Sequence, residues 1–302
     1  MKFLHRYLRS IGFSKLESRK ELQKLITDVV VEGTERFYTS NGDETLLAEF
    51  CKNFSKDNGS GSSIGIAVCG EFDGDDKFTY DYYFPYLRST CISSEEDVSV
   101  ERHAAQESYA GVCDDVRLGV SLIFYLQNMI PYVKAKNLGI LPVRGTTLTL
   151  SALSTKGTIM MPIIKSEKDL IKNKQVANNR SQLLNAARKG DEDAIESLTL
   201  DDMDTYTAIS KRIQKEDVFS LVDTYFMPYG VECDHYSILG EIMECTLLKN
   251  TLTEEEVYLM NINCNDMTFD LCINREDVYG EPCVGRRFKG IIWMQGYINF
   301  PN

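Results

Sequence analysis

The chain of 302 residues is 43% hydrophobic and 26% charged, and its formal net charge is −12. These fractions are typical of a globular protein and exclude a wholly disordered chain. No apolar run reaches the roughly 18–20 residues of a membrane helix, and the N-terminus lacks the pattern of a secretory signal, so we expect a cytoplasmic protein with no membrane partner.

The nine cysteines are widely spaced, and no two of them form a C-x-x-C pair. This spacing excludes the common zinc-ribbon and thioredoxin-type motifs. Several of the cysteines lie in apolar runs typical of strands, where a thiol behaves as a small hydrophobic group. We therefore predict reduced, structural cysteines, no metal site and no cofactor.

Charge is distributed unevenly. Residues 190–302 contain 22 acidic and 8 basic residues, a balance of −14, whereas residues 1–189 contain 23 and 25. Nucleic-acid binding depends on bases that neutralise phosphates, so the acidic third disfavours a nucleic-acid partner and leaves a protein partner open. Seven bases and two acids in residues 1–24 predict a solvated basic helix face. The alternatives are a contact with an acidic partner or with the acidic third of the same chain.

The chain is predicted to begin with helices. Leu4, Leu8 and Ile11 share one helical face, which Gly12 ends. Apolar residues between positions 22 and 30 follow the spacing of an amphipathic helix. Two capping boxes could begin that helix, Ser14 with Glu17 or Ser18 with Glu21.

Two antiparallel hairpins are predicted next. Residues 64–68 and 78–84 alternate with a period of two around the turn sequence at 73–76. The same pattern places a second hairpin over residues 148–152 and 159–164, with its turn at Lys156-Gly157. Between the hairpins, residues 118–133 fit a helix or a buried strand, and we interpret them as a strand that passes into a helix near Gln127.

The next region, residues 166–215, is polar and predicts a helical connector. A short helix is expected to end at Gly190, a second to cover 194–198, and a third to begin at a cap formed by Thr199 with Asp202.

From residue 237 onward the pattern is entirely that of strands. Three strands, a loop or short helix over 275–281 and a final strand over 288–298 come close to the order of a five-stranded OB-type barrel, with its missing strand expected within 218–226. The predicted fold class is therefore α+β. N-terminal helices pack on antiparallel hairpins in a domain at 1–165, a helical connector covers 166–215, and an OB-like β-barrel domain covers 216–302.

Several segments along nearly the whole chain carry a recognisable sequence. They are Phe3-Leu4, Gly12-Phe13-Ser14-Lys15, Arg180-Ser181-Gln182-Leu183-Leu184, Phe226-Met227-Pro228-Tyr229-Gly230-Val231-Glu232-Cys233-Asp234, Gly285-Arg286-Arg287-Phe288-Lys289-Gly290 and Trp293-Met294-Gln295-Gly296. In these segments the chain resembles an uncharacterised domain-of-unknown-function family of clostridia and related anaerobic Firmicutes. The resemblance implies an intracellular bacterial protein, and it brings no activity, cofactor or catalytic residue.

Catalytic candidates are few because the chain has only three histidines and lacks the G-x-S-x-G and H-E-x-x-H motifs. Cys233 and His235, on either side of Asp234, could form a thiolate–imidazolium pair. A site assembled from distant residues around His103 and His235 is the enzyme alternative. A surface histidine and a packed thiol are the simpler interpretation, so no catalytic residue is assigned.

Basic and aromatic residues give the binding candidates. Arg286, Arg287 and Lys289 lie beside Trp293, and on a barrel such a cluster could hold single-stranded nucleic acid weakly. Tyr83, in a tyrosine-rich strand, could belong to a protein interface. The sequence favours a non-catalytic cytoplasmic binding or scaffold protein, with an enzyme as the first alternative and the weak nucleic-acid binder as the second. The oligomeric state stays open.

Overall fold

The structure is a computed structural model. It describes residues 4–40, 45–56, 61–102, 108–115, 117–118, 120–141, 145–163, 179, 182–184, 186–187, 189–213 and 218–301. In these ranges, no helix combines the length and the apolar character needed to cross a membrane.

The described elements confirm a mixed α+β fold that is built mostly of strands. The helices with described bounds are η1 (Arg6–Ile11, a 3-10 helix), α1 (Arg19–Glu32), α2 (Met129–Asn137), α3 (Glu192–Ile213), α4 (Val218–Leu221) and η2 (Arg275–Asp277, a 3-10 helix). The strands are β1 (Glu35–Ser40), β2 (Leu46–Asn53), β3 (Ser63–Phe72), β4 (Phe78–Arg88), β5 (Val98–Arg102), β6 (Tyr109–Cys113), β7 (Leu122–Leu126), β8 (Thr147–Met160), β9 (Tyr225–Pro228), β10 (His235–Lys249), β11 (Glu256–Cys264), β12 (Met267–Asn274), β13 (Val278–Tyr279) and β14 (Arg287–Asn299).

Residues 35–88 form a four-stranded antiparallel sheet, β1-β2-β3-β4, with α1 packed against β2 and β3. Ser18 and Glu21 form the capping box of α1, which confirms the second of the two predicted caps. The first predicted hairpin is also confirmed, because β3 and β4 pair around the turn at 73–76. The sequence pattern predicted no strand for β1 or β2, since β2 interrupts its apolar residues with Glu49 and Lys52.

Five strands close into a barrel in the order β8-β12-β11-β10-β14, and β14 returns to pair with β8. The β8–β12 pair is parallel, and the other pairs in the ring are antiparallel. Phe269, Phe288 and Ile262 are among the fully buried residues of the apolar cluster that these strands share. Strands β7, β6 and β5 extend the sheet beyond β14.

The second predicted hairpin is wrong, because residues 147–160 form the single strand β8. Lys156-Gly157 was predicted as its turn, but Gly157 lies opposite Gly290 of β14 beside a break in the pairing register. A Cβ atom at Gly157 would lie 2.3 Å from the Phe288 ring. The glycine therefore allows close packing inside the barrel, where a strand must bend.

The origin of β8 also changes the predicted organisation. The fifth barrel strand was expected within 218–226, where the structure instead has α4 and the beginning of β9, which pairs with β10 outside the ring. The predicted boundary at residue 165 thus separates one barrel strand from the other four. Residues 118–133 behave as predicted, since β7 is followed directly by α2. In the connector, the two helices predicted on either side of Thr199 form one helix, α3.

The N-terminal segment packs on the barrel. Helix η1 contacts β8 and β12, and Asn250 donates a hydrogen bond from Nδ2 to the carbonyl of Ile11 at 2.8 Å. Arg9 binds the Asp277 carboxylate with two nitrogens, at 2.6 and 2.5 Å. The basic face predicted to be solvated is therefore partly engaged with the acidic third of the same chain, which corrects that interpretation in favour of its alternative.

Candidate functional site

A cavity of about 540 Å³ lies between η1 and the outer surface of the barrel. Strand β8 forms one wall, β14 and β10 form another, and the turn after β9 closes one side. Its lining residues are Arg6, Tyr7, Thr155, Lys156, Thr158, Met160, Tyr229, Ser237, Lys289, Gly290 and Ile291. We call this cavity the basic pocket.

Three basic side chains line the pocket, Arg6, Lys156 and Lys289, and none of the described lining residues is acidic. Neither lysine forms an ion pair with any residue in the described ranges. The whole chain carries a net charge of −12, whereas the charged residues that line this pocket are all basic. A concave site lined by one sign of charge concentrates ligands of the opposite sign.

The strand pairing fixes the two lysines. Lys289 lies opposite Thr158, and Lys156 precedes Gly157, which lies opposite Gly290. The Lys289 ammonium is held 3.9 Å from the centre of the Phe219 ring, a cation–π distance that restrains the side chain without neutralising it.

Arg6 is held by three side chains. One of its terminal nitrogens lies within hydrogen-bond distance of three groups, the Tyr7 hydroxyl at 3.0 Å, the Glu232 carboxylate at 3.1 Å and Nε2 of His235. The guanidinium has five N–H donors in a fixed plane, so binding through one nitrogen leaves donors for a ligand. Arg6 is thus oriented at the edge of the pocket, although Glu232 offsets part of its charge.

A series of hydrogen-bonded, buried polar groups next to Arg6 fixes the position of the His235 ring. Trp293 donates from Nε1 to Oδ2 of Asp234 at 2.7 Å, and Nδ1 of His235 lies 2.7 Å from Oδ1 of the same carboxylate. Burial alone would raise the pKa of Asp234, but the hydrogen bonds from His235 and Trp293 hold that pKa below its usual value. The pair therefore contains a carboxylate.

Both ring nitrogens of His235 have neighbouring partners. Nε2 lies against the Arg6 guanidinium, and Nδ1 lies 2.7 Å from Oδ1 of Asp234 and 3.3 Å from Oε2 of Glu232. The pair of Asp234 and His235 resembles a general-base dyad, yet Arg6 already occupies the ring nitrogen that would face a substrate. The dyad orients Arg6.

Aromatic rings pack against this series of polar groups. Tyr7 stacks on Trp293 with 5.1 Å between ring centres, and the His5 ring lies 4.9 Å from Trp293. Burial, with the nearby charge of Arg6 and with His235, lowers the pKa of His5 to about 4, so this imidazole is neutral at pH 7. Its Nδ1 makes no hydrogen bond to the described residues.

The structure brings together only some of the catalytic candidates that the sequence indicated. The structure joins Asp234 to His235, whereas Cys233 is exposed and burial raises the pKa of its thiol, which opposes a reactive thiolate. His103 lies outside the described residues. No described group of three or more His, Cys, Asp or Glu residues has the arrangement of a metal site.

The three basic binding candidates from the sequence also lie in different surroundings. Lys289 lines the basic pocket, whereas Arg286 donates to the Glu281 carbonyl at 2.6 Å. Arg287 is buried and donates to the carbonyls of Phe219, Val222 and Met161 at 2.8–3.0 Å, so it ties β14 to the end of α4. Burial lowers its pKa.

Tyr83 is placed beside the N-terminal segment. Its hydroxyl accepts a hydrogen bond from the backbone N–H of His5 at 3.0 Å, close to the start of η1. The interface role expected for Tyr83 stays a prediction, while this contact helps to position the residue before Arg6.

Sequence reasoning missed Arg6, Tyr7, Lys156 and Tyr229 as pocket residues. Arg6 and Lys156 are 150 residues apart, and only the barrel closure brings them to one cavity. The available signal was the basic N-terminus opposite an acidic third, which indicated a contact within the chain but could not indicate a pocket.

Comparison with known proteins identifies a protein family. A family model described as "Domain of unknown function, E. rectale Gene description (DUF3881)" matches residues 8–296. Neither the curated proteins nor the solved structures give a match. The family match covers most of the elements described above, from η1 to β14, and confirms the resemblance carried by the sequence segments. The chain therefore belongs to this family of domains of unknown function, DUF3881.

Proposed function

We propose that this protein is a non-catalytic binding module that holds a small organic anion in the basic pocket. One observation carries the proposal: three bases converge on a 540 Å³ cavity in a strongly acidic chain, with no acid among the described lining residues. The volume lies within the range of roughly 300–1,000 Å³ that is usual for small-molecule sites. Lysine and arginine donors form the strong, charge-assisted hydrogen bonds that anions need.

The barrel connectivity supports a binding role of the OB type. Strands β10, β11 and β12 form an antiparallel meander, a 3-10 helix follows the meander, and β14 then pairs with β10. Strand β8 runs parallel to β12 and closes the ring. We interpret this ring as an OB-like barrel in which the closing strand comes first in the chain. OB barrels use their strand faces and loops to bind ligands.

The chemistry of the site favours binding over catalysis. Arg6 occupies Nε2 of His235, and Cys233 is an exposed thiol whose pKa is raised. A nucleophile paired with an available base, which covalent catalysis requires, is not formed by Asp234, His235 and Cys233. We place the protein in the cytoplasm because all nine cysteines are free thiols, as a reducing compartment would keep them.

The test is a calorimetric titration of the purified chain with inorganic phosphate and citrate at low salt. We expect binding that weakens as salt is added, and a loss of at least about tenfold in affinity for Lys156→Gln or Lys289→Gln, since a hydrogen bond to a charged group is worth about 1.5–3 kcal/mol. Lys136→Gln, an exposed lysine on α2, is the matched control and should bind as the parent does. Equal affinities in all three variants would contradict the proposal.

A further inference from the structure

We propose that the ligand of the basic pocket is a phosphate monoester attached to a planar ring, the chemistry of a nucleoside monophosphate. This inference rests on the proposed anion-binding function and specifies its ligand. It has two parts, a doubly charged end that meets the bases and an aromatic body that meets the rim.

The bases account for the charged end. A phosphate monoester carries a charge of about −1.5 to −2 at pH 7 and presents three acceptor oxygens. Lys156 and Lys289 supply two ammonium groups without an ion-pair partner in the described ranges, and Arg6 supplies a planar donor group that the Asp234–His235 pair orients. Thr155, Thr158 and Ser237 also line the cavity, and hydroxyl groups of this kind can donate to phosphate oxygens.

The rim accounts for the ring. Tyr229 is 49% exposed, and it lies on a turn that its own backbone closes by a 2.9 Å hydrogen bond to the carbonyl of His235. Met160 and Ile291 line the same cavity, so one aromatic and two apolar residues accompany the three bases. A tyrosine face stacks on any nucleobase, because every base has a π surface.

The charge distribution favours a single nucleotide over a long strand. Residues 190–302 carry a balance of −14, so a strand that leaves the pocket would place its further phosphates beside a strongly acidic part of the chain. A single phosphate, in contrast, would contact only the three bases of the pocket. A nucleic-acid strand is therefore the competing occupant that the experiment must reject.

Trp293 provides the signal for the experiment, because it is the only tryptophan in the chain and it stacks on Tyr7, which lines the pocket. The full chain is titrated at low salt with adenosine 5′-monophosphate, ribose 5-phosphate, inorganic phosphate, adenosine, and a twelve-residue oligothymidine without terminal phosphates. Tryptophan fluorescence and calorimetry are both recorded. We expect adenosine monophosphate to bind at least tenfold more tightly than ribose 5-phosphate, and adenosine alone to bind much more weakly.

Two variants separate the parts of the ligand. Tyr229→Ala should remove the advantage of adenosine monophosphate over ribose 5-phosphate, because the stacking surface is lost while the three bases remain. Lys289→Gln should weaken both phosphate esters by about tenfold. Lys136→Gln should change neither, and the thermal midpoints of all variants are measured to verify that they fold.

The outcomes distinguish this inference from the proposed function. Equal affinity for adenosine monophosphate and ribose 5-phosphate, with both weakened by Lys289→Gln, would overturn the ring but keep the anion pocket. Oligothymidine that binds as tightly as adenosine monophosphate would overturn the inference in favour of a strand. Failure of every anion to bind would overturn both the inference and the proposed function.

Discussion

Glu49 shows what a single buried carboxyl does to this fold. The residue lies on β2, is almost completely buried, and accepts a weak hydrogen bond from the Cys51 thiol at 3.4 Å, while its Oε2 has no hydrogen-bond partner in the described part of the chain. Burial raises its pKa to about 7. The charged form is therefore disfavoured in the folded protein relative to the unfolded chain.

The sign of the pH effect follows from that raised pKa. Stability linked to Glu49 is fully present below the unfolded pKa near 4.5, and it is lost as the pH rises through about 7. We expect the free energy of unfolding of Glu49→Gln to rise relative to that of the parent between pH 5 and pH 8, by up to about 3 kcal/mol. Urea unfolding of both proteins at the two pH values measures this change.

The control is Glu101→Gln, which changes an exposed glutamate of β5 and should not alter the pH dependence of unfolding. If Glu49→Gln and the parent lose stability in parallel between pH 5 and pH 8, Glu49 does not titrate in this range. Only the structure indicates this residue, since in the sequence a glutamate within a strand is equally consistent with a solvent-facing position.

At the scale of elements, the sequence predicted local pairs well and long-range pairs poorly. The β3–β4 hairpin and the β10–β11–β12 meander follow from period-two runs separated by turn residues, and the structure has them. Strand β8 was missed as one strand because Lys156-Gly157 has the composition of a turn. Its glycine is required by Phe288, 131 positions later, and no local pattern encodes such a contact.

This contact makes a prediction for β8. Gly157→Ala places a Cβ atom 2.3 Å from the buried Phe288 ring, so the barrel must shift or the ring must leave its position. Overpacking of this kind costs roughly 1–3 kcal/mol, and chemical denaturation should show a loss of that size. Gly74→Ala is the control, because nothing lies within 4 Å of the added Cβ. A loss no larger in Gly157→Ala than in Gly74→Ala would refute the tight packing.

At the scale of the whole molecule, the N-terminal segment is joined to the barrel by charge as well as by packing. Arg9 and Asp277 are 268 residues apart, and two nitrogens of the guanidinium bind the two carboxylate oxygens at 2.6 and 2.5 Å. Arg9 is 42% exposed at its side chain and Asp277 is 11% exposed, so solvent screens the pair only in part.

A double-mutant cycle of Arg9→Gln and Asp277→Asn measures this connection. We expect a coupling of about 0.5–1 kcal/mol that falls as salt is added, since bidentate geometry places the pair at the upper end for partly exposed ions. The same cycle on the exposed pair Lys249 and Glu254 should give no measurable coupling. A coupling for Arg9 and Asp277 that is no larger than for the exposed pair would show that packing alone holds the segment.

The candidate site also belongs to this scale, which explains why the sequence predicted so little of it. Lys289 was identified because it lies within a basic cluster on one strand. Its partners Arg6 and Lys156 come from the first helix and from a strand that was interpreted as a hairpin. A site made where three distant segments meet requires the topology first, and the topology here depends on the β8–β14 and β8–β12 pairs.

The position of β8 has a consequence for the protein as it is synthesised. Of the five barrel strands, β8 is synthesised first. A further 126 residues, 161–286, must follow before β14 emerges and pairs with one edge of β8. At about 5–20 residues per second, that strand waits roughly 6–25 s with unpaired backbone groups exposed. The nascent chain of this protein should therefore depend on a holding chaperone during that interval, more than a barrel whose neighbouring strands are translated in succession.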